Sequence, residues 1–336
     1  MVKNYKNILV VKNRAMGDSI MGLSTISYIR KLYPKAKIYY ALPSWIVPMY
    51  ENVNTDADEV IRLDLKTMGD WPKVWKRVSS LNIVLVYEMH QAGRTAKFFN
   101  LYSFFKRIPY FFHNHHLKGG TDVHDQGVIK SVIQRDLDGV YSYLSDKSNL
   151  PDFLKFTPNM KPKVNVSKSK QIIIGVVATR QTKMWDLENY LTLARLIKES
   201  FSQYEIVIPL SKSQTDLEIK EVLIKNGIED FATIVHESLE NLPILISKSS
   251  LYIGNDTGLK HLAIATGVKS YTLFGPEPPN EWHPYNKNDH PYFYKEGLEC
   301  RTRDAHYCGL STCESMICLK EFSPEFVFET IKVDLE

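Results

Sequence analysis

A strand-then-helix rhythm runs through this chain, breaks, and starts again, and that pattern limits the fold more than any other feature of the sequence. "NILVVK" (7–12), a helix from about Ser19 to Tyr33 and "KIYYAL" (37–42) make one βαβ unit, with "EVIRLD" (59–64) and "NIVLVYE" (82–88) as further strands. From Gln171 the rhythm restarts with "QIIIGVV", a helix over 186–200, "YEIVIPL", a helix over 214–226, "ATIVH", a helix over 239–249, "LYIG", another helix and "SYTLFG". Between the halves, "LPDFLKFTPNMKPKVNVSKSKQ" is rich in Pro, Lys and Ser and reads as a linker, and "FSPEFVFETIKV" reads as a closing helix after its Ser-Pro start. The expected fold class is α/β, with a domain over 1–160, a second over 161–320 and a closing helix over 321–336. Two doubly wound, Rossmann-like domains of this kind are expected to face each other across a cleft at the carboxyl ends of their strands, where open α/β sheets bind ligands.

Composition narrows the class without naming a partner. With 44% hydrophobic and 24% charged residues in 336, the chain has globular composition and enough length for two cores. Lys and Arg number 42 against 38 for Asp and Glu, and a net charge of +4 is too small a bias to imply nucleic acid. The N-terminus enters a strand directly and no 18-residue apolar run occurs, so a cytoplasmic protein is expected. No G-x-G-x-x-G follows the first strand, as an NAD-dependent oxidoreductase would have, and no Walker G-x-x-x-x-G-K-[ST] is present.

Two turns carry candidate chemistry. "KNRAMGDSIMGLSTISYIRKLYP" places Gly17 and Asp18 in the loop after the first strand, where a helix begins. "YIGNDTGLKHLAIATGV" places Asp256, Thr257 and Gly258 at the equivalent turn of the second half. Backbone N–H groups at a helix start, with the positive end of its dipole, suit phosphate oxygens, and glycine lets the backbone approach them. Asp256 and Thr257 read equally well as helix N-caps, and the two roles do not exclude each other.

These residues carry a resemblance. "MGDSIMGLSTISYIRKLYPKAKI" with "YIGNDTGLKHLAIATGVKSYTLFGPEPPNEWHPY" resembles the ADP-heptose:lipopolysaccharide heptosyltransferase family, glycosyltransferase family 9, which has the GT-B fold. "DADEVIRLD" resembles the family's third strand region and "VVATRQTKMWDLENY" the segment that opens its second domain; the likeness is thin from about 97 to 165. Asp56-x-Asp58 looks like the metal-binding pair of the other glycosyltransferase fold, but it merely precedes a strand.

The resemblance implies an inverting transfer of heptose from ADP-heptose to a lipid A-linked lipopolysaccharide core, with no metal cofactor required. Asp18 matches the base that takes the acceptor proton, and Lys183 the cation facing the diphosphate leaving group. Thr179, Asp256, Thr257, Gly258 and His261 match donor-binding positions, Asp216 stands where a ribose partner is sought, and Arg14, Gly17 and Arg94 fall to the acceptor. Other readings are a family member that uses another nucleotide sugar or glycosylates a protein or another polysaccharide, and a catalytically silent nucleotide-sugar-binding protein.

Two stretches remain. In "RTAKFFNLYSFFKRIPYFFHNHH" (94–116), Phe98, Leu101, Tyr102 and Phe105 share a helical face, which is either core or a surface that settles on the inner membrane with Arg94, Lys97, Lys106 and Arg107 on lipid phosphates. Such contact would suit a phosphorylated glycolipid acceptor. Cys300, Cys308, Cys313 and Cys318 are spaced C-x7-C-x4-C-x4-C, a set that would form a structural zinc or iron site although it lacks paired C-x-x-C knuckles.

Overall fold

The computed structural model describes residues 5–91, 93–113, 130–146, 149–300, 308, 310 and 312–336. The chain divides into two compact units, Met1–Lys161 and Pro162–Glu336. Each is a parallel sheet with helices on its faces.

The first unit runs β1 (Asn7–Val11), α1 (Met16–Leu32), β2 (Lys37–Leu42), the short β3 (Val53–Asn54), β4 (Glu59–Arg62), α2 (Trp71–Ser80), β5 (Leu85–Glu88), α3 (Gly93–Lys106), β6 (Tyr110–Phe112) and α4 (Val132–Leu144). Its five strands lie in the order β4-β2-β1-β5-β6, all parallel. Strands covered on both faces are apolar almost without interruption, which is why "NILVV" is buried from its second residue onward. On one face Leu9 and Val11 pack with Val74 and Val78 of α2 and with Phe98, Phe99 and Tyr102 of α3. Helices α1 and α4 pack on each other. The amphipathic α4, capped by Ser131 accepting from the Gln134 N–H, lies in a stretch where the sequence reading assigned no element.

At the junction of the units is the short β7 (Lys161–Pro162). The second unit continues with β8 (Gln171–Gly175), α5 (Leu187–Ser200), β9 (Glu205–Pro209), α6 (Gln214–Lys225), β10 (Thr233–Val235), α7 (Leu242–Ser247), β11 (Leu251–Asn255), α8 (Gly258–Ala265), β12 (Lys269–Phe274), α9 (Pro279–Trp282), β13 (Tyr292–Tyr294), α10 (Ile317–Lys320) and α11 (Pro324–Ile331). Its strand order is β10-β9-β8-β11-β12-β13, again parallel. The last helix packs on α5, and Val327, Phe328 and Ile331 join the core around Trp185, Tyr190 and Ile197.

In both units the chain reverses its winding beside the first strand, between β1 and β5 and between β8 and β11. A crevice forms at such a switch point, outside the carboxyl ends of the two strands. Gly254 and Gly175 are register partners on β11 and β8, and the Tyr252 hydroxyl fills the space they leave. A methyl at Gly254 would lie 2.5 Å from the Gly175 carbonyl oxygen and 2.7 Å from the Tyr252 hydroxyl. Gly254→Ala is therefore expected to cost about 1–3 kcal/mol in urea unfolding. Gly93→Ala, where a Cβ meets nothing within 4 Å, is the control and should leave the midpoint unchanged or raised.

Candidate functional site

At the first switch point the loop after β1 carries Lys12, Arg14 and the start of α1. Helical hydrogen bonding begins earlier than the sequence suggests, because the Ser19 N–H donates to Ala15 (3.0 Å) and the Ser19 hydroxyl donates back to Met16 (2.7 Å) instead of capping. Gly17 and Asp18 therefore sit in the first turn of α1, not in the loop, where the helix dipole favours a carboxylate. Burial pushes the Asp18 carboxyl above its ordinary value, Lys12 and Arg14 pull it back, and Asp136 adds to the push. Arg14 is exposed and meets His90.

Beneath Asp18 lies a fully buried network that the sequence reading missed. The Lys12 ammonium donates to Asp136 on α4 (2.6 Å), His113 Nε2 lies 3.0 Å from the other Asp136 oxygen, and the Tyr87 hydroxyl lies 3.0 Å from His113 Nδ1. A lysine closing the apolar run "NILVV" was the visible signal, since a lysine there is buried only if something neutralises it.

At the second switch point Lys183 lies in a helical turn after β8, and Asp256 follows β11. Asn255 clamps the loop: its side-chain oxygen accepts from the Trp185 N–H (3.0 Å) and the Tyr190 hydroxyl (2.9 Å), and its amide donates to Val176 (2.8 Å). Asp256 is shared by two ammoniums, Lys183 at 2.7 Å and Lys260 at 2.5 Å. Lys260, fully buried one turn along α8, also donates to Trp282 (2.9 Å) and lies over the Phe274 ring. Burial would raise the Asp256 carboxyl, but Lys183, Lys260 and His261 together hold it well below the usual carboxylate range. Burial draws Lys260 down to about 8 against the opposing pull of Asp256.

A family model for glycosyltransferase family 9 (heptosyltransferase) matches residues 135–306, just over half of the chain. The chain belongs to that family. It is 30% identical over 122 residues to lipopolysaccharide heptosyltransferase 1 of Campylobacter coli, a match covering 35% of this chain and 36% of that protein. It is 26% identical over 191 residues to lipooligosaccharide heptosyltransferase 2 of Campylobacter jejuni, covering 54% and 56% respectively. The chain thus spans about a third to a half of the length of the curated relatives it matches. Its fold is that of E. coli ADP-heptose LPS heptosyltransferase II, with a TM-score of 0.75 at 19% identity and 98% of both chains covered. This is the two-domain GT-B class.

Within this family member the site residues expected from sequence divide. Asp256, Thr257, Gly258 and Lys183 come together, with Thr257 as the N-cap residue of α8 and Gly258 its first helical residue. Neither expectation for Asp256, cap or ligand grip, included its two lysine partners, although D-x-x-x-K on one helix face was visible as an (i, i+4) pair. His261 is buried with Nδ1 2.5 Å from the Tyr285 hydroxyl, and burial with Lys260 nearby keeps its pKa well below the ordinary value. Thr179 is exposed in the loop before Lys183. Asp216 accepts from the Ser211 N–H (2.6 Å) and the Ser213 hydroxyl (2.9 Å), while Ser213 caps α6. The S-x-x-D spacing puts Asp216 at the third helical position, where its own N–H donates to the Ser213 cap and its carboxylate closes the turn through Ser211.

Arg94 at the start of α3 donates to the Lys66 carbonyl (2.6 Å). Asp58 pairs with Arg30 and accepts from the Ile38 N–H, and Asp56 accepts from Ser27, so that pair is structural. The four cysteines are free thiols, and among the described residues no group of three or more His, Cys, Asp or Glu is placed to hold a metal ion. Among the described residues the ligand group expected from their spacing is not assembled: Cys300 is exposed, whereas Cys313 and Cys318 pack against the core of the second unit.

Removing one partner of a buried ion pair leaves a desolvated charge, so Asp256→Asn is expected to destabilise the protein by about 3–5 kcal/mol in urea unfolding at neutral pH. Because the carboxyl is held below its ordinary value, its stabilisation is complete above about pH 4 and is lost as pH falls toward the folded value. Adding Lys260→Met to Asp256→Asn should recover much of the loss, and additive losses would show that the pair is not coupled.

Proposed function

We propose that this chain is an inverting glycosyltransferase that moves a heptose from ADP-heptose to a phosphorylated, lipid A-linked lipopolysaccharide-core acceptor in the cytoplasm. The observation that carries the reading is one functional group at each switch point: a partly buried carboxylate, Asp18, in the first unit and an ion-paired ammonium, Lys183, in the second. Family membership and the E. coli ADP-heptose-dependent fold neighbour support the donor and the acceptor class.

Asp18 acts as general base, accepting the proton of the acceptor hydroxyl as its oxygen attacks the anomeric carbon from the face opposite the diphosphate. Burial suits it to the task, since a carboxylate raised from its ordinary value is a stronger base. On the donor side, negative charge grows on the departing diphosphate, and the Lys183 ammonium with the N–H groups at the start of α8 offers positive charge already in place. Asp256 is the positioning residue that holds Lys183 there. Both of its oxygens are engaged, and their remaining lone pairs are free to accept from donor-sugar hydroxyls. Arg14, Gly17 and Arg94 are assigned to the acceptor, Thr179 and His261 to the donor side. Among the described residues no helix is long and apolar enough to cross a membrane, so a lipid-linked acceptor would be met at a membrane surface.

Asp18→Asn is expected to lower kcat by about 10²–10⁴ while ADP binding, read by calorimetry, stays near that of the wild type. Retention of more than about a tenth of the turnover would remove Asp18 from the base role. The base works ionised, so activity rises with pH through its pKa. Arg14 pulls that pKa down, and Arg14→Gln should therefore move the acid limb of the kcat profile to higher pH, by up to about one unit. An unmoved or lowered limb would contradict the assignment.

A further inference from the structure

The shared helical face expected for Phe98, Leu101, Tyr102 and Phe105 splits in the structure. Phe98 and Tyr102 are buried with Phe99, whereas Leu101, Phe104 and Phe105 are 42%, 77% and 63% exposed. Phe105 does not stand alone: it lies edge-on to Trp75 (6.1 Å) and to Phe104 (5.5 Å), and it lines a shallow apolar groove with Met68, Trp71, Pro72 and Trp75. Met68 is 77% exposed. Large apolar side chains left in water as one contiguous patch mark an interaction surface.

The charges around the patch select its partner. Residues 66–80 and 93–107 contain eight Lys and Arg, all exposed, against one acidic residue, Asp70. Asp70 is occupied in a capping box with Thr67, and of the cations Arg77 pairs with Glu59 while Arg94 donates to the Lys66 carbonyl. Lys66, Lys73, Lys76, Lys97, Lys106 and Arg107 remain to set the sign of the surface. Tryptophan and phenylalanine flanked by lysine and arginine match a bilayer, with rings at the headgroup level and cations on lipid phosphates. A second copy brought face to face would set like charge on like charge.

We propose that the groove between α2 and the end of α3, lined by Met68, Trp71, Trp75 and Phe105 with Phe104 beside it, docks the first unit onto an anionic phospholipid bilayer. The inference deepens the proposed function, because a lipid-linked acceptor brings a bilayer to the enzyme, but its test needs neither donor nor acceptor. The full chain is sedimented with vesicles of phosphatidylcholine alone or mixed with phosphatidylglycerol, over a range of salt. Binding is expected only to the mixed vesicles, falling as salt rises. Phe104→Ser with Phe105→Ser, and separately Lys97→Gln with Lys106→Gln, should each weaken it at least about tenfold while ADP binding and the melting temperature hold. Both pairs are exposed and outside the proposed catalytic groups. The proposal is overturned if the wild type ignores phosphatidylglycerol or if both variants bind as it does. It is equally overturned if sedimentation velocity shows a dimer that the phenylalanine variant abolishes, since the patch would then hold a second copy. Loss of vesicle binding with donor binding intact would leave the transferase reading standing, and the reverse result would leave the docking surface standing.

Discussion

A carboxylate shared by two ammoniums fixes the end of the second sheet, and much of the site depends on it. Lys260 has no exposure and Asp256 almost none, so neither charge is tolerable without the other. Replacing a buried ion pair by apolar side chains is often neutral or stabilising, so the cluster is poorly explained as a source of stability. Position explains it better. Lys260 anchors α8 to the Trp282 carbonyl and the Phe274 ring, which holds Asp256 at the mouth of β11, and Asp256 in turn holds Lys183. Asn255 fixes the same loop from its other side through Trp185 and Tyr190. A lysine so restrained loses little further freedom on meeting an anion, which is the condition for electrostatic preorganisation.

The first unit solves the matching problem with different residues. Lys12 is neutralised by Asp136 beneath the loop, and His113 and Tyr87 extend the hydrogen bonding into the sheet. Asp18 then stands half-buried in a field of two cations and one anion, so the desolvation that raises its pKa is opposed but not cancelled. A carboxylate paired directly with Lys12 would be held ionised to low pH and would be a weak base. Giving Lys12 to Asp136 leaves Asp18 more basic.

How much of this could be read from the chain varied with the kind of signal. Apolar runs such as "NILVV" and "QIIIG" announce buried parallel strands, and the turns after β1 and β11 announce the two switch points, because period and punctuation are local properties. Partners distant in sequence were not readable: nothing local to Lys12 points 124 residues along to Asp136, in a helix to which the sequence reading assigned no element. The lysine partners of Asp256 were hidden for another reason, since "NDTG" fits a cap and a ligand turn equally and only the packing of Lys183 and Lys260 brings their ammoniums to its oxygens. For Asp216 the Ser213 cap was legible in "SQTD", whereas its bond to the Ser211 N–H was not. The aromatic run shows a limit of periodicity itself: spacing groups Phe98, Leu101, Tyr102 and Phe105, whereas burial follows Phe98, Phe99 and Tyr102, because α3 presses that edge onto Leu9 and Val11.

Charge shows the same contrast between sum and arrangement. A net +4 over 336 residues excludes little, because attraction at a surface falls off within about a Debye length, roughly 8–10 Å, and so depends on neighbours and not on totals. Two segments of fifteen residues carry an excess of seven positive charges, more than the whole chain's balance, so the remainder of the chain is net acidic. The excess is confined to α2, α3 and the turns that flank them in the first unit. In the second unit, by contrast, the positive charge at the switch point is largely internal, with Lys260 buried and Lys183 paired, and so exerts little force at a distance. An anionic surface approaching a chain so divided would feel the α2–α3 face from afar and the cations of the second switch point only on contact.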